Sequence, residues 1–350
     1  MNNNKPRLSI GLPVYNGERF IGKALDSILT QTFEDFEIII SDNHSTDRTQ
    51  EICRSYLAKD ARIRYYRNPE NLGAAPNYNR VFELSTGEYF KWVACDDIWD
   101  SNYLEKCIKV LDSDSSIVLC HSHTVLIDEN GQKLTFDTKK DCFVNKYGKT
   151  FRKPEYPQKL DSLKAHERYR EILFEIRWCF QVFGVIRADV LKKSLLIEPY
   201  YGSDKVLLAE LSLLGRFAEI SEPFFFRRCH SEQSRALASK TGSWIAKQSA
   251  FPHLFGFGKF IFPRLFCLGG YRRVIFRTPL SWEERSLCLL TLAFWLFKQG
   301  NWGRLCSEIY RKLNRLIKPE LEVQSMPYEQ VTPTEFATIQ QTTLTSVKKT

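Results

Sequence analysis

Asp96 and Asp97 stand side by side where an apolar run, Tyr89 to Ala94, ends. Two adjacent carboxylates at a strand end repel one another unless a cation or solvent neutralises them. Mg2+ and Mn2+ take oxygen ligands and keep waters and substrate phosphates in their shell. The pair could therefore dock a diphosphate through a bridging metal; the ordinary alternative is a capping pair ahead of Ile98-Trp99-Asp100. Asp42, followed by Asn43, ends a second apolar run, FEIIIS. At a parallel strand end it could accept hydrogen bonds from ribose hydroxyls or a base N–H, although Asp and Asn also favour turns. Pro13-Val14-Tyr15-Asn16-Gly17-Glu18 closes the first run, where Tyr15 could stack on a base and Asn16 could hydrogen-bond it. No GxGxxG or Walker-type glycine loop occurs here, which argues against a dinucleotide dehydrogenase or a P-loop enzyme.

The second half offers Asp204, at the start of the apolar stretch Val206 to Leu214. A carboxylate facing a pocket could deprotonate a hydroxyl, or it could be a plain N-cap. A helix N-terminus lowers a carboxylate's basicity, so the catalytic role needs burial or another acid nearby. His230 follows Arg227 and Arg228 in RRCHSEQS. It could ligate a metal and the arginines could hold phosphate; a solvated basic loop is the plainer reading. His121 and His123 alternate on one strand and make an incomplete metal site, so they read as structural.

These residues need elements to hold them. Leu8 to Val14, Phe36 to Ser41, Ile63 to Arg67, Tyr89 to Ala94 and Ile117 to Ile127 read as strands, with helical apolar spacing between them. Ser45-Thr46-Asp47 offers an N-cap, and Pro76 falls in the first turn of a further helix. Strands alternating with helices predict an α/β fold: a mainly parallel sheet with helices on both faces. Ligands gather beyond the carboxyl ends of such strands, where the polar residues cluster. Leu134 to about Lys164 looks like an insertion or lid. Leu163 to Trp178 reads as a helix, Gln181 to Arg187 as a strand, Ser203-Asp204 as the cap of a helix, and Phe217 to Cys229 as a strand or two. Ser281-Trp282-Glu283-Glu284 looks like a cap and first turn.

The chain has 350 residues, is 43% hydrophobic, and carries 25 Phe, 15 Tyr and 7 Trp, which supports a sizeable core. A formal charge of +9 favours anionic partners. No nucleic-acid-binding signature accompanies it, and none is expected as a partner. The ten Cys include no CxxC pair, so they read as buried thiols in a reducing compartment. No signal core or spanning segment is visible, so a cytoplasmic location is expected.

SIGLPVYNGERFIGKALDSILTQTFEDFEIIISDNHSTDRT, continued by NPENLGAAPNYNRVFELSTGEYFKWVACDDIWDSNYLEK, resembles the family-two inverting glycosyltransferases of GT-A (Rossmann-like) fold. YGSDKVLLAELSLLGRFAEISEPFFFRRCHSEQS more loosely resembles their acceptor-side segment. The resemblance implies that Pro13, Tyr15, Asn16 and Glu18 border the nucleotide pocket, with Asn43 beside Asp42 and Asp42 on base or ribose. It implies that Asp96 and Asp97 serve the metal and diphosphate, Asp97 as the more direct ligand, with His230 a further metal or phosphate contact. Asp204 takes the base position in a single inverting displacement. Mn2+ or Mg2+ is the implied cofactor, a UDP-, GDP- or dTDP-sugar the donor, and a glycan or lipid-linked glycan the acceptor in cell-surface polysaccharide or lipopolysaccharide synthesis. The chain departs from the family at Ala94, where relatives carry an earlier Asp, and at Tyr78, near which they carry an Arg. Those departures lend support to an alternative, a non-catalytic nucleotide-binding scaffold at a membrane.

The expected organisation is a disordered 1–6, a catalytic domain over 7–240 (nucleotide-sugar half 7–130, acceptor half 131–240), a basic aromatic helical appendage over 241–320, and a disordered tail over 321–350. Phe, Trp and Leu interleaved with Arg and Lys in the appendage suit a peripheral contact with the inner face of the plasma membrane.

Overall fold

The computed structural model describes residues 5–151, 158–230 and 263–298, with a few positions between 301 and 310. The terminal expectations for 1–4 and 321–350, and the part of the appendage over 241–262, lie outside the described residues, as do residues 231–240. Residues up to Trp302 belong to one compact unit.

Its strands are β1 (Leu8–Val14), β2 (Phe36–Asp42), β3 (Ile63–Arg67), β4 (Tyr89–Trp92), β5 (Ile98–Trp99), β6 (Ile117–Ile127), β7 (Thr135–Asp137), β8 (Cys142–Val144), β9 (Val185–Arg187) and β10 (Arg216–Arg228). The helices are α1 (Ile21–Leu29), α2 (Thr49–Leu57), α3 (Ala74–Glu83), α4 (Tyr103–Ser113), α5 (Ala165–Phe174), α6 (Ala188–Lys192), α7 (Ser203–Leu214), α8 (Pro263–Arg277) and α9 (Trp282–Phe297). Eight strands form one sheet in the order β3-β2-β1-β4-β9-β6-β10-β5. β1, β2, β3 and β4 pair parallel, as do β6 and β10, while β9 and β5 run antiparallel to their neighbours. This is the mainly parallel α/β sheet that the alternating pattern predicts.

Alternate residues of each strand enter opposite layers, as the period of two requires. Ile38 and Ile40 of β2 pack with α1, α2 and α4, whereas Ile39 joins Val81 of α3 and residues of α5 and α7. Phe90 and Trp92 of β4 lie on the second side and Tyr89 on the first. Burial on both faces explains the near-continuous apolar runs. α8 and α9 add to the second layer: Tyr271, Val274 and Ile275 are buried there with Val206 and Leu207 of α7. Of the appendage expected over 241–320, helices α8 and α9 are thus packed on this layer of the sheet.

Several local expectations change. Gln181 to Arg187 is not one strand: Phe180–Phe183 forms a 3-10 turn and only Val185–Arg187 joins the sheet. The N-cap of α7 is Gly202, at φ 92°, with Ser203 and Asp204 in the first turn. Only glycine takes that left-handed backbone without cost. α2 begins at Thr49, and Asp47 serves it by accepting from the Thr49 N–H at 3.0 Å. Ser281 does cap α9, its Oγ accepting from the Glu284 N–H at 3.2 Å. The insertion holds a small β7–β8 hairpin.

Helix α3 lies hard against β1 because Gly11 leaves room for it: a Cβ there would sit 2.6 Å from Val81 Cγ2 and 2.7 Å from Phe90 Cζ. Gly11→Ala is therefore expected to overpack the layer and lower unfolding free energy by about 1–3 kcal/mol, measured by urea denaturation.

Candidate donor and transfer site

Parallel pairing puts the ends of β1, β2 and β4 on one edge of the sheet, with β1 in the middle. Tyr15, just past β1, is 49% exposed there. Asn16 adopts φ 50° and ties this loop to the next one: its Oδ1 accepts from the Thr46 N–H (2.8 Å) and its own N–H donates to Ser45 Oγ (2.9 Å). Glu18 does the same, accepting from the Arg48 N–H at 2.9 Å. Pro13 is buried within β1. A cavity of about 550 Å3 is lined by Asn16, Glu18, Arg19, Asp47, Arg48 and Ile52. It lacks Asp42, Asp96 and Asp97, so it is a depression beside these loops and not the place where the acidic residues meet.

Asp42 is fully buried: Oδ1 accepts from the Ser45 N–H (2.8 Å) and Oδ2 from the Tyr65 hydroxyl (2.6 Å). Asn43, also buried, holds the 68–73 loop by accepting from Leu72 N–H (2.9 Å) and Asn68 Nδ2 (2.9 Å), and by donating to Asn71 Oδ1 (2.7 Å). Both hold the loops beyond the strand ends from within. The carboxylate expected to meet a ribose is instead sequestered, because Tyr65 of the neighbouring strand covers it.

Asp96 and Asp97 lie on the short passage from β4 to β5. That passage matters because β5 crosses to the far side of the sheet and pairs antiparallel with β10, Phe225 opposite Trp99 and Phe226 opposite Ile98. The pairing delivers the two carboxylates to the end of β10. There Arg227 Nη1 reaches Asp97 Oδ2 at 2.5 Å and Asp96 Oδ1 at 3.5 Å. The Arg228 N–H donates to Asp97 Oδ1 (3.0 Å), and its Nε donates to the Asp96 carbonyl (2.8 Å). Arg228 also grips the carbonyls of Asp128 (3.2 Å) and Glu129 (3.0 Å). His230 Nε2 sits 3.0 Å from Asp96 Oδ2, its ring packed on Phe20.

The two carboxylates have unlike surroundings. Asp97 is 0% exposed with both oxygens engaged. Burial pushes its carboxyl up to about 7 against the pull of Arg227. Burial of Arg227 works against its charge, yet Asp97 and Asp96 hold its guanidinium above its ordinary value. The Asp96 side chain keeps 16% of its surface open. The geometry thus makes Asp97 the inner anchor of Arg227 and turns Asp96 outward, the reverse of the order that the family resemblance implies.

Among the described residues, no group of three or more His, Cys, Asp or Glu side chains gathers as a metal cluster. Asp96 and His230 remain as a carboxylate and imidazole donor pair. His230 Nδ1 and Arg227 Nε are buried without a hydrogen-bond partner among the described residues. A hard divalent ion that takes its other ligands from phosphate and water fits such a pair.

Asp204, in the first turn of α7, receives the neighbouring Lys205 N–H at 2.9 Å, and Tyr271 of α8 feels its charge. Lys205 secures that helix end by donating to the carbonyls of Leu173 (3.1 Å) and Ile176 (2.7 Å).

Arg227, which the sequence offers as a phosphate contact or, more plainly, as part of a solvated basic loop, is neither exposed nor free: it bridges both carboxylates. Tyr65 and Lys91 do not stand out in the sequence as site residues. A lysine inside YFKWVA was the visible signal for the last, since a charge in a doubly buried strand demands a partner. Removing Arg227 strands the Asp97 carboxylate. Arg227→Ala should cost about 3–5 kcal/mol at pH 8, where Asp97 is ionised. The cost should shrink at pH 5, below about 7, where the buried carboxyl keeps its proton. Urea midpoints at both pH values measure this, with Asp97→Asn/Arg227→Ala expected to lose the pH dependence.

The Glycosyl transferase family 2 model matches residues 9–193. An uncharacterized glycosyltransferase of Methanocaldococcus jannaschii is 35% identical over 132 residues, 37% of this chain and 46% of that protein. One of Haemophilus influenzae is 26% identical over 252 residues, 70% of this chain and 72% of that protein. The match to a Rickettsia typhi relative spans 42% of its length, so the first of these likenesses reach only about half of each relative. Among solved structures, S. aureus TarS residues 1–349 superimposes with TM-score 0.54 at 16% identity, over 91% of this chain and 77% of that one. The same protein in complex with UDP-GlcNAc gives 0.55 at 17% identity over the same shares of the two chains. At that identity the likeness is one of fold, the GT-A type. The family match covers more than half of the chain, and this protein belongs to glycosyl transferase family 2.

Proposed function

We propose that the protein transfers a sugar from a nucleoside-diphosphate donor to a hydroxyl acceptor with inversion. The observation that carries this reading is the convergence of Asp96, Arg227 and His230 beyond the strand ends, backed by the buried Asp97–Arg228 contacts. Tyr15 is open for stacking on a base, Pro13, Asn16 and Glu18 build the loop that carries it, and Asp42 and Asn43 stiffen the floor beside it. TarS, of the same fold, binds UDP-GlcNAc, which supports a nucleotide-sugar donor.

In this reading the diphosphate leaves as negative charge builds on its bridging oxygen, and Arg227 lies where it can stabilise that charge. Asp96 and His230 would hold Mn2+ or Mg2+, which supplies further charge stabilisation to the departing diphosphate. Asp97 keeps Arg227 in place. Asp204 takes the proton of the acceptor hydroxyl as its oxygen attacks the anomeric carbon opposite the leaving group. One bond forms as one breaks, so the configuration inverts. A non-catalytic scaffold is the weaker reading, because Asp96 is kept turned outward while Asp97 alone suffices to anchor Arg227.

The acceptor side suits a lipid-linked glycan at an anionic membrane. No described helix is long and apolar enough to cross a bilayer. Yet α9 exposes Trp282, Leu290, Phe294 and Phe297, and the neighbouring α8 exposes Arg272 and Phe276. Aromatic and basic side chains together favour a headgroup interface.

A thermal-shift screen of nucleoside diphosphates and nucleotide-sugars, with and without Mn2+, should single out one donor that raises Tm. With that donor, Asp96→Ala should cut release of nucleoside diphosphate about 100-fold or more. Asp204→Asn should cut transfer about 100-fold or more while leaving the donor's Tm shift in place. Normal turnover in either variant rejects its assigned role. Vesicles containing phosphatidylglycerol should retain the full chain in flotation, pure phosphatidylcholine should not, and Phe294→Ser with Arg272→Glu should abolish retention.

A further inference from the structure

Lys91 is the least expected residue of the core. It sits in the middle of β4, 1% exposed, where parallel and antiparallel neighbours leave no route to water. Its ammonium lies in a box of three rings, 4.3 Å from the Tyr103 centroid, 5.0 Å from Trp99 and 5.9 Å from Phe225. It donates a hydrogen bond to the Phe183 carbonyl, which also accepts from the Tyr103 hydroxyl at 3.3 Å. Phe183 ends the 3-10 turn, so this carbonyl is one that the turn itself leaves to be satisfied from outside.

The other side of Phe183 faces the site. Its ring packs against Phe225 at 6.0 Å, and the Arg227 guanidinium lies 5.6 Å over it. Phe225 stacks in turn on Trp99, two residues beyond Asp97. One internal cation therefore grips the piece of backbone whose side chain backs the arginine that joins Asp96 and Asp97. Burying an ammonium is costly, and apolar replacements of buried charges are often neutral or stabilising. Stability alone gives no reason for a lysine here. Burial holds its ammonium down to about 7, which marks how dry the box is.

We propose that Lys91 is a positioning residue for the transfer site: by tying down the Phe183 carbonyl it fixes the Phe183 ring against Arg227 and keeps that guanidinium directed at Asp96 and Asp97. Its effect on turnover rests on the transfer reading above; its effect on Arg227 does not.

The test uses the full chain, deuterated and 15N-labelled, with the Arg227 Nε–H resonance assigned by its loss in Arg227→Lys. In the unaltered protein this buried N–H should give a distinct, slowly exchanging signal. Lys91→Met keeps the stem and removes the donor, and Phe183→Leu keeps the carbonyl and removes the ring. Both should shift the signal and speed its exchange by about tenfold or more. Ile63→Ala, a cavity in distant β3, should leave it unchanged. Lys91→Gln, which can still donate, should recover part of the ordering and remains informative if Lys91→Met does not fold. With a donor in hand, Lys91→Met should lower kcat by about tenfold or more with donor KM within about threefold, because misaimed groups act on the transition state. A folded Lys91→Met or Phe183→Leu chain with an unchanged Arg227 signal overturns the proposal. An unaltered protein that turns over no donor defeats the transfer reading instead, and the Arg227 signal still decides the role of Lys91.

Discussion

Two carboxylates cannot stand together at a dry strand end without cations, and the arrangement around Asp96 and Asp97 follows from that repulsion. Arg227 bridges the pair, Arg228 holds Asp97 and the Asp96 carbonyl through its backbone and side-chain N–H groups, and His230 meets Asp96 from the open side. Every one of these partners comes from the end of β10, more than a hundred residues away in the chain. The site exists only because β5, two residues long, pairs with β10 and carries the acidic turn to it.

The division of labour between the carboxylates is a consequence of burial. Asp97 spends both oxygens inside the protein, so it orients; Asp96 keeps an open edge, so it can meet ligand. The same distinction holds at the neighbouring strand end, where Asp42 is spent on Ser45 and Tyr65 while Tyr15 stays exposed. Preorganised charges of this kind need no rearrangement as a leaving group departs, which is where they contribute most to transfer. Ala94 and Tyr78, the departures from the family pattern, fall beside this cluster. Arg227 brings a guanidinium close enough to Tyr78 for its charge to be felt there.

Rigidity beneath the cluster comes from less obvious groups. Gly11 lets α3 settle on β1, the Asn43–Asn68–Asn77 network pins the loop beside Asp42, and Lys91 closes the core behind Arg227. These groups surround the candidate site on the side away from solvent, leaving the solvent side for substrate.

The chain alone determined the sheet and its layers, because doubly buried strands must be continuously apolar and amphipathic helices must repeat at 3.6 residues. It also determined that Tyr15, Asp42 and Asp96 would share one edge, since parallel strands place their carboxyl ends together. Motif spacing carried the family. What the tertiary structure alone decided is the state of each group: that Tyr65 covers Asp42, that Asp97 turns inward and Asp96 outward, that Phe180–Phe183 winds into a turn rather than a strand, and that Lys91 holds the Phe183 carbonyl while the Phe183 ring lies under Arg227. Local pattern reports which face of an element is apolar. It holds no information on which distant cation will fill a particular carboxylate's coordination, because that choice is made by the crossing of β5 to β10 and by the desolvation that crossing imposes.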